Sequence, residues 1–155
     1  MPKLKPGDAA PKFALTDQNG KTVKLADFKG TKLLVYFYPR AGTTGCTKQS
    51  QNVRDHRAAL RKLGVEVAGI SPDTPEQQKR FDDKHKFGFP LLSDADHAVA
   101  QAWGAWGEKS MYGRKFQGVI RSSFLVDEKG KIAHAWYKVK PEQTAPEVEK
   151  ALRAK

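Results

Sequence analysis

The sequence predicts an α/β fold: a mixed central sheet flanked by helices, with a β-hairpin extension at its N-terminal side. Three observations carry this. First, residues 33–38 read Leu-Leu-Val-Tyr-Phe-Tyr, an apolar run expected of a strand buried on both faces. Second, residues 65–70 form another such run, and between the two Val53, His56, Leu60 and Leu63 fall three and four apart, one face of a helix. Strand, helix and strand at this spacing make a βαβ unit with parallel strands and a right-handed crossover. Third, residues 119–126 and 131–137 flank the turn Asp127-Glu128-Lys129-Gly130, an antiparallel hairpin that makes the sheet mixed. At 155 residues the chain reads as one domain, 1–155.

The elements follow in order. Residues 1–12, with Pro2, Pro6 and Pro11, read as an extended lead-in. Residues 13–16 and 22–25 are short strands around Asp17-Gln18-Asn19-Gly20, where Asn-Gly supplies the positive φ of a tight turn. Residues 26–30 make a helical turn closed by Gly30. The strand at 33–38 leads into the loop Pro39-Arg40-Ala41-Gly42-Thr43-Thr44-Gly45-Cys46 and then a helix over 47–63, stopped by Gly64. Thr74, Pro75 and Gln77 start the next helix as cap, first helical residue and capping-box partner, with Phe81 as its apolar anchor. Residues 87–92 give a loop and a short strand. Ser93-Asp94-Ala95-Asp96 caps a helix carrying Val99, Ala100 and Trp103. Residues 104–118 read as a glycine-containing, partly aromatic connection. Thr144 opens a last helix that runs to Ala154 with Val148, Ala151 and Leu152 inward.

Composition excludes several function classes. Lys and Arg number 28 against 17 Asp and Glu, a net charge of +11, which attracts anions. The basic residues are scattered without a run of five, so they read as a solvated surface rather than a nucleic-acid face. One cysteine excludes an internal disulfide and a Cys-rich zinc module. The first residues lack the apolar core of a secretory signal, and no apolar run approaches the ~20 residues that span a bilayer. The expected setting is a reducing cytoplasm, with no membrane partner. No metal-ligand spacing or Gly-rich phosphate loop occurs, so no metal or cofactor is expected.

The chemistry concentrates at Cys46. A free thiol ionises near pH 8.5, and the thiolate is the nucleophile. A helix start offers unsatisfied N–H groups and partial positive charge to it. Thr43 can cap that helix, or its hydroxyl can hydrogen-bond a ligand; Gly45 lets the backbone approach what the sulfur attacks. The competing reading is a small buried hydrophobe. Thr43 and Gln49 stand where a C-x-x-C partner would be, which argues against a dithiol oxidoreductase. His56 is carried ~15 Å along the helix from Cys46 and reads as a hydrogen-bonded core residue rather than a base; His85, His97 and His134 read as surface or cap residues.

Pro39-x-x-x-Thr43-x-x-Cys46, directly after Val-Tyr-Phe-Tyr, resembles the active-site motif of the peroxiredoxins. The fuller run Tyr36-Phe-Tyr-Pro … Thr43-Thr-Gly-Cys46-Thr-Lys-Gln is similar to the bacterioferritin comigratory protein, or peroxiredoxin Q, branch. The similarity continues through Gly69-Ile70-Ser71, Phe89-Pro90-Leu91-Leu92-Ser93-Asp94, Trp106-Gly107-Glu108-Lys109 and Arg121-Ser122-Ser123-Phe124-Leu125-Val126-Asp127. The resemblance implies a thioredoxin-like fold and reduction of hydrogen peroxide and organic hydroperoxides. It implies that Cys46 is the peroxidatic cysteine, Thr43 binds the peroxide, Pro39 shields the sulfur and Arg121 reaches in from a distant strand, with Gly45 also at the substrate. Gln49 either orients Arg121 or faces solvent.

Two departures matter. The positions at which this branch carries a resolving cysteine hold Gln51 and Asp82. The resemblance therefore implies a one-cysteine cycle, closed by an external thiol: glutathione, glutaredoxin or thioredoxin. Thr44 stands where the branch usually has proline, which restores a backbone N–H and loosens the loop. An anionic thiol would be drawn to Arg40 and Lys48, the nearest cations in sequence. The branch implies a monomer. Two readings from other classes stand beside the peroxidase: a redox sensor or holdase that uses Cys46 oxidation as a signal, and a basic nucleic-acid-binding protein on the same scaffold.

Overall fold

The computed structural model describes residues 3–153. Among them are the strands β1 (Ala14–Thr16), β2 (Thr22–Lys24), β3 (Lys32–Phe37), β4 (Val65–Ser71), β5 (Leu91–Ser93), β6 (Trp106–Met111), β7 (Arg114–Val119), β8 (Ser122–Val126) and β9 (Ile132–Tyr137). The helices are α1 (Thr44–Lys62), α2 (Pro75–His85), α3 (Ala98–Ala102) and α4 (Thr144–Arg153).

A seven-stranded sheet runs in the order β2-β1-β5-β4-β3-β8-β9. The strands β3, β4 and β5 are parallel, and β8 and β9 add to them antiparallel. The N-terminal hairpin joins the other side, β1 pairing antiparallel with both β2 and β5. The sheet is mixed as expected, and β3-α1-β4 is the βαβ unit.

The alternation of side chains along β3 creates two cores. Leu33, Val35 and Phe37 pack with Ile70, Trp103 and Phe124 on the face covered by α3 and the N-terminal hairpin. Leu34, Tyr36 and Tyr38 pack with Val53 and Leu60 of α1, Phe81 of α2 and Val148 of α4. A strand with both faces covered has no polar side, which explains the unbroken apolar run. The face under α1 also holds polar ties. The Tyr36 hydroxyl pairs with Ser50 Oγ at 2.8 Å. Tyr38 donates to Gln78 Oε1 at 2.6 Å, and Gln78 Nε2 donates to Ser71 Oγ and to the Leu92 carbonyl. These buried bonds lock α1 and α2 over the sheet. Gly69 has no side chain for a reason: a Cβ there would lie 2.8 Å from the Tyr36 hydroxyl.

Several expected boundaries are corrected. The helix expected from residue 47 begins at Thr44, so Cys46 lies inside its first turn rather than before it. Leu25 is the first residue of the 3-10 turn Leu25–Phe28, not the end of β2. The connection expected over 104–118 is mostly the β6–β7 hairpin, a two-stranded sheet of its own. Its turn, Tyr112-Gly113, holds two positive φ values (54° and 78°), the geometry of a tight hairpin turn written without the usual Asn-Gly. The single strand expected over 119–126 is broken at Ile120-Arg121. There the Ile120 N–H bonds the Ala105 carbonyl, and the Arg121 carbonyl accepts from Val139 N–H. The capping box of α2 forms as expected between Thr74 and Gln77. Asp94 accepts the N–H groups of Val99 and Ala100 at the start of α3. The end expected for α4 at Ala154 lies outside the described residues.

Candidate active site

The site is built at the junction of β3, α1 and the break between β7 and β8. Past β3, Tyr38 and the half-buried Pro39 lead into the loop, and Gly42 turns it with φ of 85°. The first turn of α1 then brings Cys46 back under the loop, where 1% of its surface is exposed. Two donors meet its sulfur. The Arg40 backbone N–H lies 3.5 Å from Sγ, and Arg121 Nη2 also lies 3.5 Å away. Both aim an N–H at the sulfur, and the second carries a full positive charge.

Arg121 reaches the sulfur because the chain leaves the sheet at that residue. Its other terminal nitrogen, Nη1, donates to Gln49 Oε1 at 2.7 Å. Gln49 is fully buried, and its Nε2 donates to Thr144 Oγ1 at the start of α4. The choice left open for Gln49 is thereby resolved in favour of the arginine. Among the described residues no carboxylate pairs with Arg121, so its charge is not neutralised by one before it reaches the sulfur.

Gly45 leaves the space for this approach. A Cβ at that position would sit 3.0 Å from Arg121 Nη2 and 3.7 Å from its Cζ. Gly45→Ala is therefore expected to separate stability from rate. Alanine is the better helix former by about 1 kcal/mol, and the residue is not among the glycines of positive φ, so thermal unfolding should move up or stay. The displaced guanidinium should slow peroxide-driven oxidation of Cys46 on the order of tenfold, read by stopped-flow mixing.

Thr43 occupies the cap position of α1 with extended backbone angles (φ −78°, ψ 157°), but its hydroxyl makes no cap bond. It donates instead to the Arg40 carbonyl at 2.8 Å and stays exposed. The capping role is thus corrected, while the hydroxyl remains open to a ligand. No histidine joins the site. His56 bonds the Asn52 carbonyl one helical turn back, and His85, His97 and His134 stack on Phe87, Trp106 and Trp136.

Two neighbours were not singled out from the sequence. Lys109 of β6 donates from Nζ to the Val119 carbonyl at 2.9 Å, next to the break that releases Arg121. Burial, and then the Arg121 charge, push its pKa down, while the Cys46 charge opposes this. Burial holds the Tyr36 hydroxyl far above its ordinary range, with Ser50 opposing and Cys46 adding to the effect. Tyr36 therefore stays a neutral floor to the site. Only the pairing of β6 with β7 brings Lys109 near the sulfur, and no local pattern signals that. A groove of about 720 Å³ lies away from the site, against Phe13, Leu25, Phe28 and Val126.

A sulfur under two N–H donors, one of them a guanidinium, is placed to attack an electrophile that develops negative charge. Comparison with known proteins agrees with this chemistry. The profile of the AhpC/TSA family matches residues 6–135. The chain belongs to this family. Among its relatives, peroxiredoxin Bcp of Escherichia coli is 52% identical over 136 residues, covering 88% of this chain and 87% of that protein. A Mycobacterium tuberculosis protein named as a peroxiredoxin is 54% identical over 138 residues, covering 89% and 88%. A solved structure of Xanthomonas campestris peroxiredoxin Q superposes with a TM-score of 0.86 at 35% identity, over 92% of this chain and 90% of that one. The thioredoxin-like architecture, with its mixed sheet, flanking helices and N-terminal strands, is that of these peroxiredoxins. Like them, the chain is a thiol-dependent peroxidase.

Proposed function

We propose that Cys46 carries the peroxidase reaction in a one-cysteine cycle on hydrogen peroxide and organic hydroperoxides. The observation that supports this most is the placement of Arg121 Nη2 at 3.5 Å from Sγ by Gln49, beside the only cysteine of the chain. The thiolate attacks the terminal peroxide oxygen. An S–O bond forms with the sulfur's electron pair, the O–O bond breaks, and the departing oxygen takes a proton to leave as water or an alcohol. Sulfur is oxidised by two electrons to a sulfenic acid. Arg121 stabilises both the thiolate and the charge on the leaving oxygen. The Thr43 hydroxyl and the Gly45 backbone border the peroxide, and Pro39 shields the sulfur from bulk water.

With Gln51 and Asp82 at the two positions discussed above, the sulfenic acid has no internal thiol to meet. Gln51 approaches His85, and Asp82 accepts the N–H groups of Phe87 and Gly88 after α2. An external thiol, either a small one such as glutathione or a redox protein such as glutaredoxin or thioredoxin, closes the cycle. The single free thiol suits a reducing cytoplasm, and the whole chain acts as one domain and as a monomer.

The deciding experiment has two arms, each with Cys46→Ser as the blank: one equivalent of hydrogen peroxide with dimedone present, and excess peroxide without dimedone, with and without a thiol. A dimedone adduct at Cys46 is expected, together with continued peroxide consumption only when a thiol is supplied. Absence of both adduct and consumption would refute the reading. Sedimentation at 17.2 kDa checks the monomer.

A further inference from the structure

With one cysteine in the chain, the electrons that restore an oxidised Cys46 come from another molecule's thiol. Beside the loop that holds Cys46 there is a cleft of about 590 Å³. One wall is the loop and the first turns of α1, with Arg40 and Lys48. The other is α2, with Arg80 and Lys84. None of these four cations makes an ion pair among the described residues. One carboxylate, Asp73, lies on the lining. It is already engaged, its Oδ2 accepting the Ala41 N–H and the Ser71 hydroxyl, each at 2.7 Å.

Four free cations against one engaged carboxylate is a steeper bias than the chain's 28 to 17. Walls of low dielectric focus such a field and raise the local concentration of anions. Arg80 and Lys84 are four residues apart on an exposed face of α2, where side chains at this spacing point the same way. They face Arg40 and Lys48 across the cleft, which suits a ligand with carboxylates at both ends. The volume falls in the range of roughly 300–1,000 Å³ that holds small molecules rather than protein domains. Arg40 joins cleft to sulfur: it lines the cleft, and its backbone N–H touches Sγ.

We propose that this cleft docks a small thiol bearing more than one carboxylate, and that such a thiol is the reductant of Cys46. The proposal rests on the one-cysteine cycle above. The docked thiol's sulfur attacks the sulfenic sulfur, forming a mixed disulfide and releasing the hydroxyl as water with the thiol's proton. A second thiol molecule then attacks the disulfide at the docked thiol's sulfur. Cys46 leaves as the thiolate, and two small thiols have been oxidised to their disulfide.

The test uses a charge series of thiols: glutathione as the anion, 2-mercaptoethanol as the neutral compound and cysteamine as the cation. Sulfenic acid is formed first with one equivalent of peroxide and measured by trapping, which reports the peroxide half alone. The re-reduction rate, normalised to each thiol's thiolate fraction, is expected to be highest for glutathione. It should fall on the order of tenfold between about 20 and about 300 mM salt. In Arg80→Glu/Lys84→Glu the preference for glutathione should vanish or reverse. S-methylglutathione, which cannot react, should bind the wild type and not this variant in a calorimetric titration. Equal normalised rates for the three thiols, or a preference untouched by the double substitution, would overturn the docking proposal while leaving the peroxidase reading standing. If no sulfenic acid forms, the one-cysteine reading fails instead, and the S-methylglutathione titration alone decides whether the cleft binds the anion.

Discussion

Arg121→Ala is expected to slow the oxidation of Cys46 by peroxide about 10²–10³-fold, the usual loss when one preorganised donor to a developing charge is removed. The fold should survive, because the side chain is only half-buried and lies at a break between β7 and β8 rather than within the apolar packing. Its removal strips the sulfur of one of its two donors and leaves Gln49 Oε1 buried without its partner. Arg121→Lys should recover part of the rate. A lysine keeps the charge, but it lacks the rigid fork that lets one group hold Gln49 with Nη1 and the sulfur with Nη2. The measurement is the second-order rate constant for peroxide, followed by stopped-flow fluorescence or by competition with a second peroxidase. A wild-type rate in Arg121→Ala would remove the guanidinium from the mechanism.

Phe124→Ala is expected to have the largest effect on stability, about 3–5 kcal/mol. The ring is fully buried and lies edge-on to Phe37, Trp103 and Tyr137, with centroids 5.1–5.8 Å apart. Its neighbours come from β3, from the end of α3 and from β9, so the cavity left by alanine cannot close by moving one of them. The midpoint of urea unfolding should fall accordingly. A change below about 1 kcal/mol would mean that the site repacks freely. The peroxide rate of the molecules that remain folded should stay close to wild type. Phe124 faces the core under α3, whereas Cys46 belongs to the core under α1, and β3 separates the two. Arg121 and Phe124, three residues apart, thus allow the chemistry and the stability of one segment to be separated.

The parts of this protein that follow from local pattern were legible in the sequence. The two-sided burial of β3 is written in its unbroken apolar run, the βαβ unit in the helical spacing of Val53 to Leu63, and the start of α2 in Thr74, Pro75 and Gln77. What depends on contacts distant in sequence was not. Two adjacent positive φ values at Tyr112-Gly113 made a hairpin where the eye sees a glycine-rich connection. The break at Ile120-Arg121 is imposed by the hydrogen bonds of Ile120 to Ala105 and of Arg121 to Val139, partners no window around Arg121 contains. In isolation Arg121 reads as a surface residue; only the resemblance pointed to it, and only the fold shows Gln49 holding it. Thr43 illustrates the opposite case. A threonine before a helix has the residue type and position of a cap, yet its hydroxyl turns back to Arg40. The choice between two acceptable hydrogen bonds is decided by loop geometry rather than by residue identity.

The burial of Cys46 sets different admission rules for its two reactants. With 1% of its surface open, the sulfur can be met in place only by a molecule a few atoms across, which a hydroperoxide group is and a bulky alkylating agent or a protein thiol is not. A larger reactant would need the first turn of α1, which has no side-chain cap bond, to lift away from the sheet. If that opening is needed, reduction of the oxidised sulfur by a large thiol has a ceiling. As the thiol is made more concentrated, the rate rises only until it equals the frequency with which the turn opens, and beyond that point it belongs to the protein and not to the reductant.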